Sequence, residues 1–110
     1  MELLTITDKS AIVANLAGRM DAQNAPEIGK EMLQALVPGT RYMILCFAEL
    51  EYMSSAGLRS VLSVARRIQG MGGELLCAGM QGGVLAVFKA AGFYGMFREY
   101  ESVEEALRSI

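Results

Sequence analysis

Tyr42-Met43-Ile44-Leu45-Cys46-Phe47-Ala48 is a short unbroken apolar run, the pattern of a strand covered on both faces at the centre of a parallel sheet. Upstream, Asn24-Ala25-Pro26-Glu27 offers a capping side chain, a proline in the first turn and an acid three residues after the cap. Ile28, Met32, Ala35 and Leu36 follow at helical spacing, which predicts a helix to about Val37, stopped by Pro38-Gly39. Downstream, Leu58, Val61, Leu62, Ala65 and Ile68 mark the apolar face of a second helix, and Arg59, Ser60, Ser63, Arg66 and Arg67 its outer face. A buried strand between two helices is the repeating unit of an α/β sheet.

The outer segments extend this pattern. Leu4 and Ile6 alternate with Thr5 and Thr7, then Asp8-Lys9-Ser10 interrupts, and Ile12, Ala14 and Leu16 alternate with Val13, Asn15 and Ala17, so a hairpin is expected. Gly70-Met71-Gly72-Gly73 ends the second helix, and Glu74-Leu75-Leu76-Cys77-Ala78 reads as another buried strand. A helix from about Gly82 to Ala91 closes at Gly92, Phe97-Arg98-Glu99-Tyr100 is a short edge strand, and Ser102-Val103-Glu104-Glu105 is a capping box opening the last helix. The predicted class is α/β, with a mixed, mostly parallel sheet of about five strands and about four helices. Residues 1–110 are expected to form a single domain.

Composition removes several functions. Although 53% of the 110 residues are hydrophobic, no apolar run approaches the ~18 residues that span a bilayer, so direct membrane insertion is not expected. Net charge is −2 with Lys and Arg scattered, which leaves no basic stripe for nucleic acid. Met1-Glu2-Leu3-Leu4-Thr5 is not a secretory leader, and a cytoplasmic protein is predicted. Cys46 and Cys77 sit inside apolar runs and read as buried free thiols. With no histidine there is no four-ligand zinc site, and neither a metal nor a cofactor is expected.

In parallel sheets function gathers beyond the carboxyl ends of the strands. Tyr52-Met53-Ser54-Ser55-Ala56-Gly57-Leu58 falls there, and the loops carrying Asp21 and Met80-Gln81 are expected on the same rim. The first N–H groups of a helix lack internal partners and favour negative charge, so a serine at this start can carry a phosphate without unfolding the chain. One serine of the pair is also expected to serve as an N-cap, worth ~1 kcal/mol. Gly57 permits a close backbone approach, and Met53 is expected to stand exposed beside the serines.

Catalytic readings are weaker. A serine nucleophile needs a base, histidine is absent, and none of Lys9, Lys30 and Lys89 is placed to activate it. The glycines between Gly70 and Gly83 match neither a dinucleotide fingerprint nor a P-loop. Glu49 and Glu51 read as a solvated loop rather than cation ligands.

The Tyr52–Leu58 segment resembles the signature of the STAS domain family, the bacterial anti-sigma factor antagonists. That signature runs aromatic, apolar, aspartate or serine, serine, small residue, glycine, leucine. Gly18-Arg19-Met20-Asp21 with Asn24-Ala25-Pro26-Glu27, and Ala91-Gly92-Phe93 followed by Ser102-Val103-Glu104-Glu105-Ala106-Leu107, are further matches in the right order. The resemblance covers essentially the whole chain. It implies a partner switch, in which the unphosphorylated antagonist binds an anti-sigma factor that is also a serine kinase, phosphorylation releases it, and a serine phosphatase resets it. The family's phosphoacceptor falls on Ser55, with Ser54 the second choice. The partner surface is expected from Asp21, Met53, Ser54, Ser55, Ala56, Gly57 and Met80. Many regulated members have aspartate where this chain has Ser54. No enzymatic role of its own is implied, because the kinase supplies the chemistry. The family also contains unphosphorylated adaptor subunits of transport or sensory complexes, and an apolar rim of Met53, Met80 and Phe93 is the feature that would suit one.

Overall fold

The computed structural model describes residues 1–110. The chain runs β1 (Glu2–Ile6), a 3₁₀ turn (Thr7–Lys9), β2 (Ala11–Met20), α1 (Ala25–Ala35), β3 (Tyr42–Met53), α2 (Ser55–Gly70), β4 (Glu74–Ala78), α3 (Gly82–Ala90), β5 (Arg98–Tyr100) and α4 (Val103–Arg108). The five strands lie in the order β1-β2-β3-β4-β5, with β1 antiparallel to β2 and every other pair parallel. The predicted mixed, mostly parallel α/β sheet is therefore present.

The apolar run of β3 is explained by burial on both sides. Met43, Leu45 and Phe47 enter the main core of 22 buried residues beneath α1, α2 and α3, while Ile44 joins a smaller cluster with Val13, Leu76, Ala78 and Ala106 under α4. A strand with only one covered face would alternate with polar residues instead. Phe88 of α3 meets Phe47 and Phe97 edge-to-face at 5.8 and 6.4 Å, which locks that helix over β3.

Helices α1 and α2 approach closely at Gly29, where an added Cβ would lie 3.1 Å from Ser60 Cβ. Ser60 Oγ donates to the Ala25 carbonyl at 2.9 Å, so Ser60 is turned toward α1 and does not belong to the outer face expected for it. Arg59, Ser63, Arg66 and Arg67 do stand exposed, opposite the buried Leu58, Val61, Val64, Ala65 and Ile68.

Other expectations change. Glu49 and Glu51 are strand residues, because β3 continues beside β2 through Ala17↔Glu49, Gly18↔Leu50, Arg19↔Tyr52 and Met20↔Met53, with irregular register at Asn15/Ala17 and Gly18/Arg19. Backbone pairing outlasts the apolar run there, and the two register shifts absorb the mismatch. Both Leu3 and Leu4 stand exposed on the edge strand β1. Asn24 precedes α1 but makes no side-chain cap; its amide is engaged by the preceding loop. Cys46 is only half-buried, whereas Cys77 is sealed. No helix is long and apolar enough to cross a membrane, and no three His, Cys, Asp or Glu side chains converge as metal ligands.

Burial, reinforced by Glu99, pushes the Cys77 thiol from 9.0 up to about 12. A raised pKa favours the protonated, folded form, so this contribution is complete below pH 9.0 and is lost as pH climbs toward about 12. Under native conditions a thiol-reactive chromogen should leave Cys77 unmodified and modify it on unfolding. Rapid native modification of Cys77 would contradict its place in the core.

Candidate functional site

The carboxyl ends of β2 and β3 meet the start of α2. Ser54 has an extended backbone, φ −87° and ψ 173°, and each of its polar groups is engaged inside the chain. Its N–H donates to the Met20 carbonyl at 2.9 Å, its carbonyl accepts from Leu58 N–H at 3.0 Å, and its Oγ accepts from Gly57 N–H at 3.1 Å. Ser54 is therefore the helix cap. Ser55 is the first residue of α2 and exposed, and its hydroxyl makes no hydrogen bond within the chain. With Ser54 Oγ spent on Gly57, the N–H groups of Ser55 and Ala56 are the free donors of the helix start. No acidic residue lies in the first turn to repel an anion.

Gly57 is buried, and a Cβ there would stand 3.1 Å from the Met20 carbonyl, Met20 Cγ and Met53 Cγ. The close approach that this glycine permits is thus internal, between α2 and the ends of β2 and β3. Met53 is 1% exposed, which corrects the expectation of an exposed methionine. Its side chain leans against Gly57 because the last residue of β3 points into the core. Met53 and Gly57 support the site from beneath and present no surface to a partner. Ala56 is half-buried.

Asp21 is half-buried and orders the β2–α1 loop. Its Oδ1 accepts from Gln23 N–H at 3.0 Å and Asn24 N–H at 3.2 Å, while Asn24 Oδ1 accepts from Asp21 N–H at 2.8 Å and Asn24 Nδ2 donates to the Arg19 carbonyl at 2.7 Å. The Met20 carbonyl that holds Ser54 immediately precedes this loop, so the Asp21 and Ser54 segments are brought together.

Met80 lies elsewhere on the rim. It is half-buried past the end of β4, in an open cleft of about 550 Å³ with Ala48, Gln81, Glu99, Tyr100 and Glu105. Gln81 Nε2 donates to the Ala48 carbonyl at 3.4 Å, on β3 six residues before Ser54. β3 outruns β4, whose last partner is Cys46, and this sets the Met80 loop back from the serines. Of the expected apolar rim of Met53, Met80 and Phe93, Met53 is sealed in the core, while Met80 and Phe93 are half-buried.

One feature escaped the sequence reading. The Arg19 guanidinium stacks 4.2 Å above the exposed ring of Tyr52, which pairs with it across β2 and β3. The two become neighbours only once β3 is known to continue to Met53.

The model of the STAS domain matches residues 3–106. The chain belongs to the STAS domain family. A Bordetella bronchiseptica protein named as a candidate anti-sigma factor antagonist, BtrV, is 35% identical over 95 residues, covering 86% of this chain and 82% of that one. The solved anti-sigma factor antagonist SpoIIAA in its unphosphorylated form superposes with TM-score 0.84 at 26% identity, covering 99% of this chain and 96% of that one. The phosphorylated form of the Bacillus cell fate determinant SpoIIAA superposes with TM-score 0.78 at 24% identity, covering 98% of this chain and 96% of that one.

The two serines of this STAS domain should separate in a stability experiment. Ser54→Ala removes the cap and should cost about 1 kcal/mol, lowering the melting temperature by roughly 4–8 °C. Ser55→Ala should remain within about 0.5 kcal/mol of wild type, as for a surface substitution. The opposite ranking by thermal denaturation would show that the cap has been misassigned.

Proposed function

We propose that this chain is an anti-sigma factor antagonist governed by phosphorylation of Ser55. Unphosphorylated, it binds an anti-sigma factor with serine kinase activity; phosphorylated, it is released; a serine phosphatase returns it to the binding form. The observation that carries this reading is the division of labour in the serine pair, where Ser54 is consumed as a cap and Ser55 is left exposed and unbonded at the head of α2. The names of BtrV and SpoIIAA support the antagonist class.

The physical basis is a phosphate tolerated by the domain but not by the interface. It adds roughly −2 charge and three acceptor oxygens where free N–H donors and the helix dipole favour an anion. That the phosphorylated and unphosphorylated forms of SpoIIAA both superpose on this chain, with TM-scores 0.78 and 0.84, is consistent with such tolerance. A partner packed on the same surface must desolvate the dianion. Reversing a binding equilibrium from one side to the other needs about 5.5 kcal/mol of differential affinity, a magnitude that burying a phosphate against a partner surface can supply.

On this reading the contact surface comprises Ser54, Ser55 and Ala56 with the Asp21 loop, and Met80, in the loop past the end of β4, borders it from the set-back part of the rim. Met53 and Gly57 contribute by holding α2 in place. The kinase brings ATP, Mg²⁺ and the positioning groups, so the antagonist supplies only the hydroxyl. A role in controlling a sigma factor places it in the cytoplasm.

Incubation with the candidate anti-sigma kinases of its genome and ATP should place one phosphate on Ser55, mapped by mass spectrometry. Ser55→Ala should keep partner binding and Ser55→Asp should weaken it. No phosphate on Ser54 or Ser55 with any of these kinases would count decisively against the proposal.

A further inference from the structure

We propose that Arg59 is the intramolecular partner of the phosphate on Ser55, so that modification both adds a dianion and withdraws an exposed guanidinium from the surface around it. This rests on the reading of Ser55 as the phosphoacceptor. Ser55 and Arg59 are both exposed on α2, four residues apart. That spacing brings their Cβ atoms to about 5–6 Å on one helix face. Long helical side chains lean toward the N-terminus, so the Arg59 side chain covers the turn that begins at Ser55.

Arg59 has no competing engagement. The chain's ion pair joins Arg98 to Glu74, and the cations stacked on aromatic rings are Arg19 and Lys89. The first turn of α2 contains no acid that would draw the guanidinium away or repel the phosphate. A guanidinium matches two phosphate oxygens with a planar fork, and a charge-assisted pair of this kind is roughly twice as strong as a neutral hydrogen bond. Arg66 and Arg67 lie eleven and twelve residues beyond Ser55. At 1.5 Å per residue that is about 16–18 Å, too far for either to reach the same phosphate.

The unphosphorylated domain therefore offers a neutral hydroxyl and a free cation side by side, whereas the phosphorylated domain offers a closed ion pair. A partner that uses Arg59 loses this contact in the same event that installs the phosphate.

The test is a thermodynamic cycle on the full chain, with phosphoserine incorporated at position 55 during translation so that no kinase is needed. Melting temperatures are measured for wild type and Arg59→Gln, each with and without the phosphate. The phosphate should raise the melting temperature by about 2 °C more in wild type than in Arg59→Gln. The difference should shrink in about 1 M NaCl, where the Debye length is about 3 Å. Arg66→Gln, which removes the same charge, should leave the phosphate effect as in wild type. Equal phosphate-induced shifts in wild type and Arg59→Gln overturn the proposal, and so does an equal reduction in Arg66→Gln. Absence of any kinase able to modify Ser55 would instead strike the proposed function and leave this result standing.

Discussion

The hydrogen bond from Ser54 N–H to the Met20 carbonyl, 2.9 Å long, fastens the mouth of α2 to the end of β2. Gly57 makes the fastening possible, because any Cβ at that position would press on the same carbonyl and on the side chains of Met20 and Met53 at 3.1 Å. To admit a side chain there, the Met20 carbonyl and the Met20 and Met53 side chains would have to give by a few tenths of an ångström. Everything that distinguishes Ser54 from Ser55 follows from this seat. With the helix start held down, the first serine turns its hydroxyl onto Gly57 N–H and the second is left at the surface.

Magnitudes separate the structural role of the serine pair from the regulatory role proposed for it. A cap is worth about 1 kcal/mol, enough to tune stability and too little to reverse a binding equilibrium, which takes about 5.5 kcal/mol. In the proposed switch the free energy must therefore come from the interface, through the cost of burying a dianion, rather than from unwinding of α2. A rigid start to α2 suits that role, since a phosphate on a fixed platform cannot swing clear of an incoming surface.

The strands and helices were legible where one pattern dominated. Met43 to Phe47 announced a strand buried on both faces, and the Ser102-Glu105 spacing announced a cap that is present as Ser102 Oγ accepting from Glu105 N–H at 3.1 Å. The similar Asn24-Glu27 spacing misled, because Asn24 found closer partners in Asp21 and Arg19 than in its own helix. Glu49 and Glu51 misled for the opposite reason, since pairing with β2 needs only backbone groups and tolerates exposed charge on an outward face. At the site, the serine pair and its glycine were visible in sequence order. The burial of Met53, the set-back of Met80 and the stacking of Arg19 on Tyr52 were not, because each depends on how far β3 runs past β4.

Amide hydrogen exchange, read residue by residue, tests the central claim most directly. If the seat on Met20 organises the site, the Ser54 and Gly57 amides are protected to the level of neighbouring core amides while those of Ser55 and Ala56 exchange nearly as fast as free peptide. Protection of the Ser55 amide equal to that of Ser54, or rapid exchange of Ser54 itself, would contradict it.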